Sequence, residues 1–232
     1  MTRSTRHAPA FVPYAIICVV YLGSQLAGAG GVQAFTKPLL MPLLLVGLVI
    51  SLPTLRSGIA LFASLGILFS WAGDVFLQSP GDAGFLVGLG CFALAHVAYL
   101  ILFIRELRMR RLPWLALVYV PWWVALVVFL APHLGALLVP VAVYGLLLGS
   151  VAAFGLACNR WIAVGTAVFL VSDTLLGLHM FLPGFDFPGV DFAIMLPYVV
   201  GQGLIAWGAI AAARAKRPVG ASVEQVSATT PA

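Results

Sequence analysis

Charged residues are scarce in this chain. Asp, Glu, Lys and Arg make up 8% of its 232 residues, whereas 62% are hydrophobic. Soluble domains carry about 25% charged residues, so the composition excludes an ordinary water-soluble fold. It predicts an all-α, polytopic integral membrane protein. About eight helices of roughly 20 residues each use up the chain and leave no room for a soluble domain.

Cysteines and the common catalytic motifs are also few or missing. The three cysteines (Cys18, Cys91 and Cys158) show no paired or metal-ligand spacing, and we interpret them as small core residues. The sequence contains no Gly-x-Ser-x-Gly elbow, no His-Glu-x-x-His pair and no phosphate loop or dinucleotide fingerprint. The chain has a net charge of +5, and its basic residues flank apolar segments. This placement indicates membrane topology rather than binding to nucleic acid.

The apolar runs predict eight membrane-spanning helices within a single domain, 11–213. Pro, Gly and Ser clusters mark the loops between several of them. The segment 1–10 precedes this domain, and the small, polar segment 214–232 is predicted to be a disordered tail. The predicted spans are 11–30, 35–53, 58–78, 84–105, 113–131, 135–157, 161–182 and 191–213.

The basic residues predict how the chain is oriented. Under the eight-span topology nearly all of them fall on one side, whereas Asp82, Asp186 and Asp191 fall on the other, where Lys37 is the one basic exception. By the positive-inside rule both termini are cytoplasmic. We expect the protein in a bacterial inner membrane. The residues on the basic side are Arg3, Arg6, Arg56, Arg105 to Arg111, Arg160 and Arg214 to Arg217.

Two aspartates lie inside predicted spans. Asp74 is the one charge in Leu61–Leu77, and Asp173 is the one carboxylate in Trp161–Leu182. A carboxylate at membrane depth is costly and therefore indicates a functional site. At about 1.5 Å per residue, Asp74 lies roughly 6 Å and Asp173 roughly 13 Å from the outer ends of parallel spans. They can meet if the two helices are neighbours.

Further polar residues accompany the aspartates. His96 and Tyr99 are spaced i, i+3, and Tyr198 and Gln202 are spaced i, i+4, so each pair shares a helix face. Each also has a purely structural explanation, as an interhelical hydrogen bond or, for a lysine, as snorkelling to the interface. Beyond the two aspartates, the candidate substrate-binding or orienting residues are Lys37, His96, Tyr99, Tyr144, Tyr198 and Gln202.

Paired carboxyl groups indicate acid/base chemistry. A protonated carboxyl can donate a proton while its ionised partner accepts one, which suits the hydrolysis of an acid-labile bond. A zinc site with His96, Asp74 and Asp173 as ligands is the alternative, but no paired-histidine spacing favours it. We therefore expect neither a metal nor an organic cofactor.

Five motifs in order resemble the YhhN family, also known as the lysoplasmalogenase family. The resemblance covers about 36–206 and departs from the family at Gly201, where alanine is expected, a change that should alter only local packing. The motifs are Thr36-Lys37-Pro38-Leu39-Leu40, Gly73-Asp74-Val75-Phe76-Leu77, His96-Val97-Ala98-Tyr99, Gly165 and Phe169 with Ser172-Asp173-Thr174-Leu175-Leu176, and Tyr198-Val199-Val200-Gly201-Gln202.

The resemblance implies hydrolysis of the vinyl ether bond of lysoplasmalogens. The substrate is then a lysophospholipid, and the products are a fatty aldehyde and glycerophosphoethanolamine or glycerophosphocholine. The family's two catalytic aspartates correspond to Asp74 and Asp173. Lys37 becomes a candidate for the lipid phosphate, and the tyrosines, His96 and Gln202 become candidates for orienting the acids or the water. Membrane lipids are the other expected partners, and the oligomeric state stays open.

Other functions fit the same residues. A hydrolase of another ether- or ester-linked lysolipid is the nearest alternative. A small transporter could use Asp74, Asp173 and Lys37 as a proton or ion relay. An intramembrane aspartyl protease is disfavoured, because the rest of its motif, including a Pro-Ala-Leu element, is missing.

Overall fold

The computed structural model describes residues 9–79, 81–107 and 111–216, and all regular structure in this part of the chain is helical. The all-α prediction is therefore confirmed. Short 3₁₀ turns lie at Lys37–Leu39, Trp114–Val118 and Gly135–Leu137, and one π-turn at Leu102–Glu106. The α-helices are α1 (Val12–Leu26), α2 (Gly30–Thr36), α3 (Leu40–Ser51), α4 (Gly58–Phe76), α5 (Asp82–Ile101), α6 (Tyr119–Leu134), α7 (Leu138–Gly155), α8 (Arg160–Phe181) and α9 (Val190–Ala215).

Seven helical segments of the described residues are long and apolar enough to cross a membrane. The predicted spans 113–131 and 135–157 fall together in one of them, the 42-residue segment Trp114–Gly155. Within it α6 and α7 are joined at Gly135, whose φ of 50° breaks the helix. The indole Nε1 of Trp123 on α6 donates to the carbonyl of Ala142 on α7 at 2.9 Å. The two helices therefore pack side by side rather than forming one rod.

The two helices that carry the aspartates begin in the same way. The Ser57 hydroxyl accepts from the Ala60 amide at 3.1 Å and caps α4. The Asn159 side chain accepts from the amides of Trp161 and Ile162 and caps α8. Such caps satisfy amides that have no partner within the helix. Each aspartate then lies in the second half of its helix, beyond the midpoint from the cap.

Helix ends that carry basic residues come together at one end of the bundle, which we call the basic end. Arg214 near the end of α9 donates to the carbonyl of Ser51 at the end of α3, at 2.7 Å. Asn159 at the start of α8 donates to the carbonyl of Gly208 on α9, at 2.8 Å. The loops 27–29 and 182–189 join helices at the opposite end. Helix α9 extends to Ala215 rather than to 213, and residues 1–8 and 217–232 lie outside the described residues.

Glycines allow two helix pairs to approach closely. On α4, a Cβ at Gly66 would lie 2.3 Å from the Tyr99 ring of α5. Between α8 and α9, a Cβ at Gly201 would lie 2.9 Å from the carbonyl oxygen of Gly165. Side chains at these positions would push the helices apart, because packed interiors leave no spare volume. The glycine at 201, where alanine was expected, thus permits backbone contact between α8 and α9.

Candidate active site

Asp74 is held in the interior by a tyrosine from another helix. Its side chain is 5% exposed, and its Oδ2 accepts from the Tyr198 hydroxyl of α9 at 2.6 Å. One turn further along, Gln78 donates to the Asp74 backbone carbonyl at 3.1 Å. Ser70 and Asp74 are spaced by four residues and share one face of α4, and Gln78 continues this spacing in the turn that follows the helix. This face is therefore a polar stripe within an apolar helix.

Gln202 joins three helices through fully buried hydrogen bonds. Its Oε1 accepts from the Tyr99 hydroxyl of α5 at 2.6 Å, and its Nε2 donates to the Ser70 hydroxyl of α4 at 2.9 Å. All three side chains are at most 1% exposed. Buried polar groups are costly unless they are paired, so this network fixes α4, α5 and α9 relative to one another. It lies one helical turn from the bond between Tyr198 and Asp74.

Asp173 has its own tyrosine. Its Oδ2 accepts a hydrogen bond from the hydroxyl of Tyr144 on α7. Both side chains are half-buried and line a cavity that we call the apolar chamber. The chamber has an empty volume of about 570 Å³. Its other walls are hydrophobic and include Leu77, Phe92, Leu130 and Leu176.

His96 presents a buried nitrogen without a partner. Its Nδ1 lies 2.6 Å from the carbonyl oxygen of Phe92. A carbonyl only accepts, so Nδ1 carries the hydrogen and Nε2 of the neutral ring is an acceptor. Among the described residues Nε2 has no hydrogen-bond partner. The ring lies between Phe169, stacked at 5.3 Å, and Tyr144, edge-on at 5.2 Å between centroids.

Aromatic rings connect the surroundings of the two carboxyl groups. The Tyr198 ring contacts Phe169 edge-on at 5.6 Å, and Phe169 in turn stacks on His96. The His96 ring also contacts Tyr144 edge-on, and Tyr144 holds Asp173. Each carboxyl nevertheless accepts from a different tyrosine on a different helix. The two acids are therefore linked through a row of contacting aromatic rings but have separate hydrogen-bond environments.

A second cavity, which we call the polar pocket, lies at the end of the bundle opposite the basic end. It has an empty volume of about 750 Å³, and Lys37 and Asp191 are among its lining residues. Trp71, one turn before Asp74 on α4, donates to the carbonyl of Pro38 at 3.0 Å and holds the Lys37 turn beside α4. Leu176 lines both the polar pocket and the apolar chamber.

The structure brings most of the candidate residues together in two groups. Tyr198, Gln202 and Tyr99 surround Asp74, whereas Tyr144 and His96 belong to the surroundings of Asp173. Lys37 instead lines the polar pocket, within electrostatic reach of Asp74. Among the described residues no three His, Cys, Asp or Glu side chains form a group that could hold a metal ion. The three-ligand zinc site considered above is thus not assembled.

Sequence reasoning missed several contributors to the site. Ser70 and Gln78 are not among the candidate residues predicted from the sequence, although their spacing of four residues from Asp74 reveals the polar stripe. Asp191 had been used only as a topology marker. The role of Phe92 as the acceptor for His96 leaves no sequence signal beyond the i, i−4 spacing, which many helical residues share.

The sequence was compared with protein families, curated proteins and solved structures. The YhhN family profile matches residues 32–209. Two proteins named lysoplasmalogenase, from Mycobacterium bovis and Mycobacterium tuberculosis, are each 33% identical to this chain over 172 residues. The alignments cover 70% of this chain and 65% of each relative, so the chain spans just under two thirds of their length. No solved structure matches it.

Proposed function

Because this chain belongs to the YhhN family, we propose that it is an intramembrane hydrolase that cleaves the vinyl ether bond of lysoplasmalogens. The products are a fatty aldehyde and glycerophosphoethanolamine or glycerophosphocholine. The observation that carries the proposal is a pair of aspartates in a membrane protein, each held by a tyrosine, with Asp173 lining an apolar cavity and a row of contacting aromatic rings between the two tyrosines. The names of the two mycobacterial relatives point to the same reaction.

Asp173 is the proposed acid. Vinyl ethers hydrolyse by protonation at the β-carbon, which belongs to the hydrocarbon chain, and Asp173 lines the apolar chamber, whose other walls are hydrophobic like such a chain. Tyr144 occupies its Oδ2, which leaves Oδ1 to carry the proton. Transfer of this proton to the β-carbon generates an oxocarbenium ion, and a positioned acid of this kind contributes about 10²- to 10⁴-fold in rate.

Asp74 is the proposed carboxylate. Its negative charge stabilises the oxocarbenium ion and accepts the proton of the attacking water. Water adds to the carbon bonded to oxygen, and the resulting hemiacetal collapses to the aldehyde and the glycerol alcohol. The proton that Asp74 has taken up balances the one that Asp173 gave to carbon. The Tyr198 hydroxyl holds Oδ2 of Asp74 in place during these steps.

His96 is the proposed ligand of that water. Its Nε2 is a buried acceptor without a partner among the described residues, and its ring contacts Tyr144, which holds Asp173. A water molecule that donates to Nε2 would satisfy this nitrogen, because a buried polar atom otherwise costs about 1–3 kcal/mol. Tyr99 and Gln202 have an indirect role, because their hydrogen bonds fix the positions of α4 and α9 around Asp74.

The proposed setting is a bacterial inner membrane crossed eight times. The packing of α6 against α7 within one continuous apolar segment supports two crossings there, and the proposed total is then an even number of crossings. With the basic end in the cytoplasm, both termini are cytoplasmic. The aspartates then lie in the half of the membrane that faces away from the cytoplasm, close to the level of the polar pocket.

Purified protein in detergent, incubated with a lysoplasmenylethanolamine, tests the proposal directly. We expect one aldehyde per lipid consumed, measured by NADH oxidation through an added alcohol dehydrogenase. The matched lipid with a saturated ether should give no aldehyde, because it has no carbon that can be protonated to an oxocarbenium ion. Folded protein that releases no aldehyde would favour a transporter or a hydrolase of another lysolipid instead.

A further inference from the structure

The polar pocket combines opposite charges with amide side chains. Lys37 enters it from the turn between α2 and α3, and Asp191 from the first turn of α9. Gln25, Gln33 and Gln78 also line it. A purely structural polar patch would pair its charges, but among the described residues neither Lys37 nor Asp191 forms an ion pair within 4.0 Å. Both residues therefore line the pocket without a counter-ion from the part of the chain that the structure describes.

We propose that the polar pocket binds the zwitterionic headgroup of a lysophospholipid, with Lys37 contacting the phosphate and Asp191 the ammonium group. This inference rests on the function proposed above and names the part of the substrate that the pocket recognises. A phosphate and an ammonium joined by two carbons require a cation and an anion on separate walls of one cavity. Lys37 and Asp191 provide this arrangement from separate elements.

The order of the charges follows from the position of Lys37. The bond from Trp71 to the Pro38 carbonyl holds the Lys37 turn beside α4, and Trp71 lies one helical turn before Asp74. In a lysophospholipid the phosphate is attached to the glycerol, whereas the ammonium lies at the far end of the headgroup. The cation nearer the carboxyl groups thus meets the phosphate, and Asp191 meets the ammonium.

Gln25 supplies an acceptor for the ligand. Its Nε2 donates to the Tyr21 hydroxyl at 3.2 Å, while its Oε1 is buried without a partner among the described residues. The side-chain amides of Gln33 and Gln78 instead donate to backbone carbonyls through Nε2, at 3.1 Å in both cases. The Oε1 of Gln25 is therefore open to a donor such as the free glycerol hydroxyl of a lysolipid.

Leu176 connects the pocket to the reaction centre. It lines the polar pocket on one side and the apolar chamber on the other. It is also three residues from Asp173 on α8, so the two lie on one helix face. A lysolipid with its headgroup in the polar pocket and its chain in the apolar chamber places the bond between glycerol and chain beside Asp74 and Asp173.

Binding of two saturated alkyl-ether lysolipids tests the inference without requiring turnover. One carries phosphoethanolamine and the other phosphate alone, and Kd is measured in detergent by calorimetry. We expect Asp191→Asn to weaken binding of the phosphoethanolamine lipid about two- to fivefold, the range for an exposed ion pair, and to leave the phosphate lipid unchanged or bound more tightly. Lys37→Gln should weaken the binding of both.

Asp186→Asn is the matched control, because Asp186 is an exposed aspartate in the loop before α9 and does not line the polar pocket. It should leave both Kd values unchanged. If Asp191→Asn affects both lipids equally, or neither, the ammonium assignment is wrong. If Lys37→Gln leaves both unchanged, the phosphate assignment is wrong. Neither result depends on aldehyde release, so failure of the headgroup site is distinguishable from failure of the proposed hydrolysis.

Discussion

Replacing each aspartate with asparagine separates the chemistry of the carboxyl groups from their structural role. Asparagine has nearly the same shape, and its Oδ1 can still accept from Tyr198 at position 74 or from Tyr144 at position 173. The fold should therefore survive. The amide cannot protonate carbon, and it carries no charge to stabilise a cation or to take a proton from water.

The expected size of the effect follows from the roles assigned to the two groups. A positioned acid or base contributes about 10²- to 10⁴-fold, which corresponds to about 3–5 kcal/mol of barrier at 1.36 kcal/mol per tenfold. Asp74→Asn and Asp173→Asn should each lower kcat by this factor. Because the two groups act in one reaction, the double variant should be little slower than the slower single variant.

The assay is aldehyde release from a lysoplasmalogen by purified variants whose folding is checked by thermal unfolding in detergent. Asp186→Asn makes the same chemical change at an exposed aspartate and should keep full activity. Full activity in either Asp74→Asn or Asp173→Asn, with normal unfolding, would refute the two-carboxyl mechanism. Losses that multiply in the double variant would show that the groups act independently.

Two further predictions concern a nitrogen and a glycine. His96→Asn keeps a donor where Nδ1 lies but removes the Nε2 acceptor, so kcat should fall about ten- to a hundredfold, at or below the lower end of the 10²- to 10⁴-fold range for acid/base groups. The exposed His133→Asn is the control and should leave kcat unchanged. A fully active His96→Asn would exclude a water ligand at Nε2. Gly201→Ala places a Cβ 2.9 Å from the carbonyl oxygen of Gly165 and should cost about 1–3 kcal/mol of stability in thermal unfolding. Gly90→Ala, which meets open space, should cost nothing, and equal stability of the two alanine variants would contradict the close contact of α8 and α9.

The membrane class and the importance of the aspartates were predictable from elementary energetics. A chain with 8% charged residues does not fit a water-soluble fold. A carboxylate inside an apolar run has a high free-energy cost and therefore indicates a functional site. The i, i+4 spacing of Tyr198 and Gln202 also predicted a shared face, and both side chains bond groups of α4. These features depend on local sequence and on the cost of burying charge, and both can be judged from a single sequence.

The pairing of side chains across helices was not predictable. Tyr144 had no distinguishing neighbour in sequence, and its bond to Asp173 depends on how α7 packs against α8. His96 and Tyr99 were expected to act on one face, yet Tyr99 bonds Gln202 whereas His96 contacts Tyr144. Both outcomes depend on tertiary packing, which a helical repeat in one sequence does not specify.

Leu176 separates two cavities of opposite polarity, and this separation has a consequence for reversibility. A lipid cleaved between them leaves an apolar aldehyde in the chamber and a charged glycerophosphate ester in the pocket. Each fragment is soluble in a different phase, the aldehyde in the bilayer and the ester in water. Departure into separate phases keeps the two products from recombining, so the driving force for completing the reaction comes from partitioning as well as from the bond that is broken.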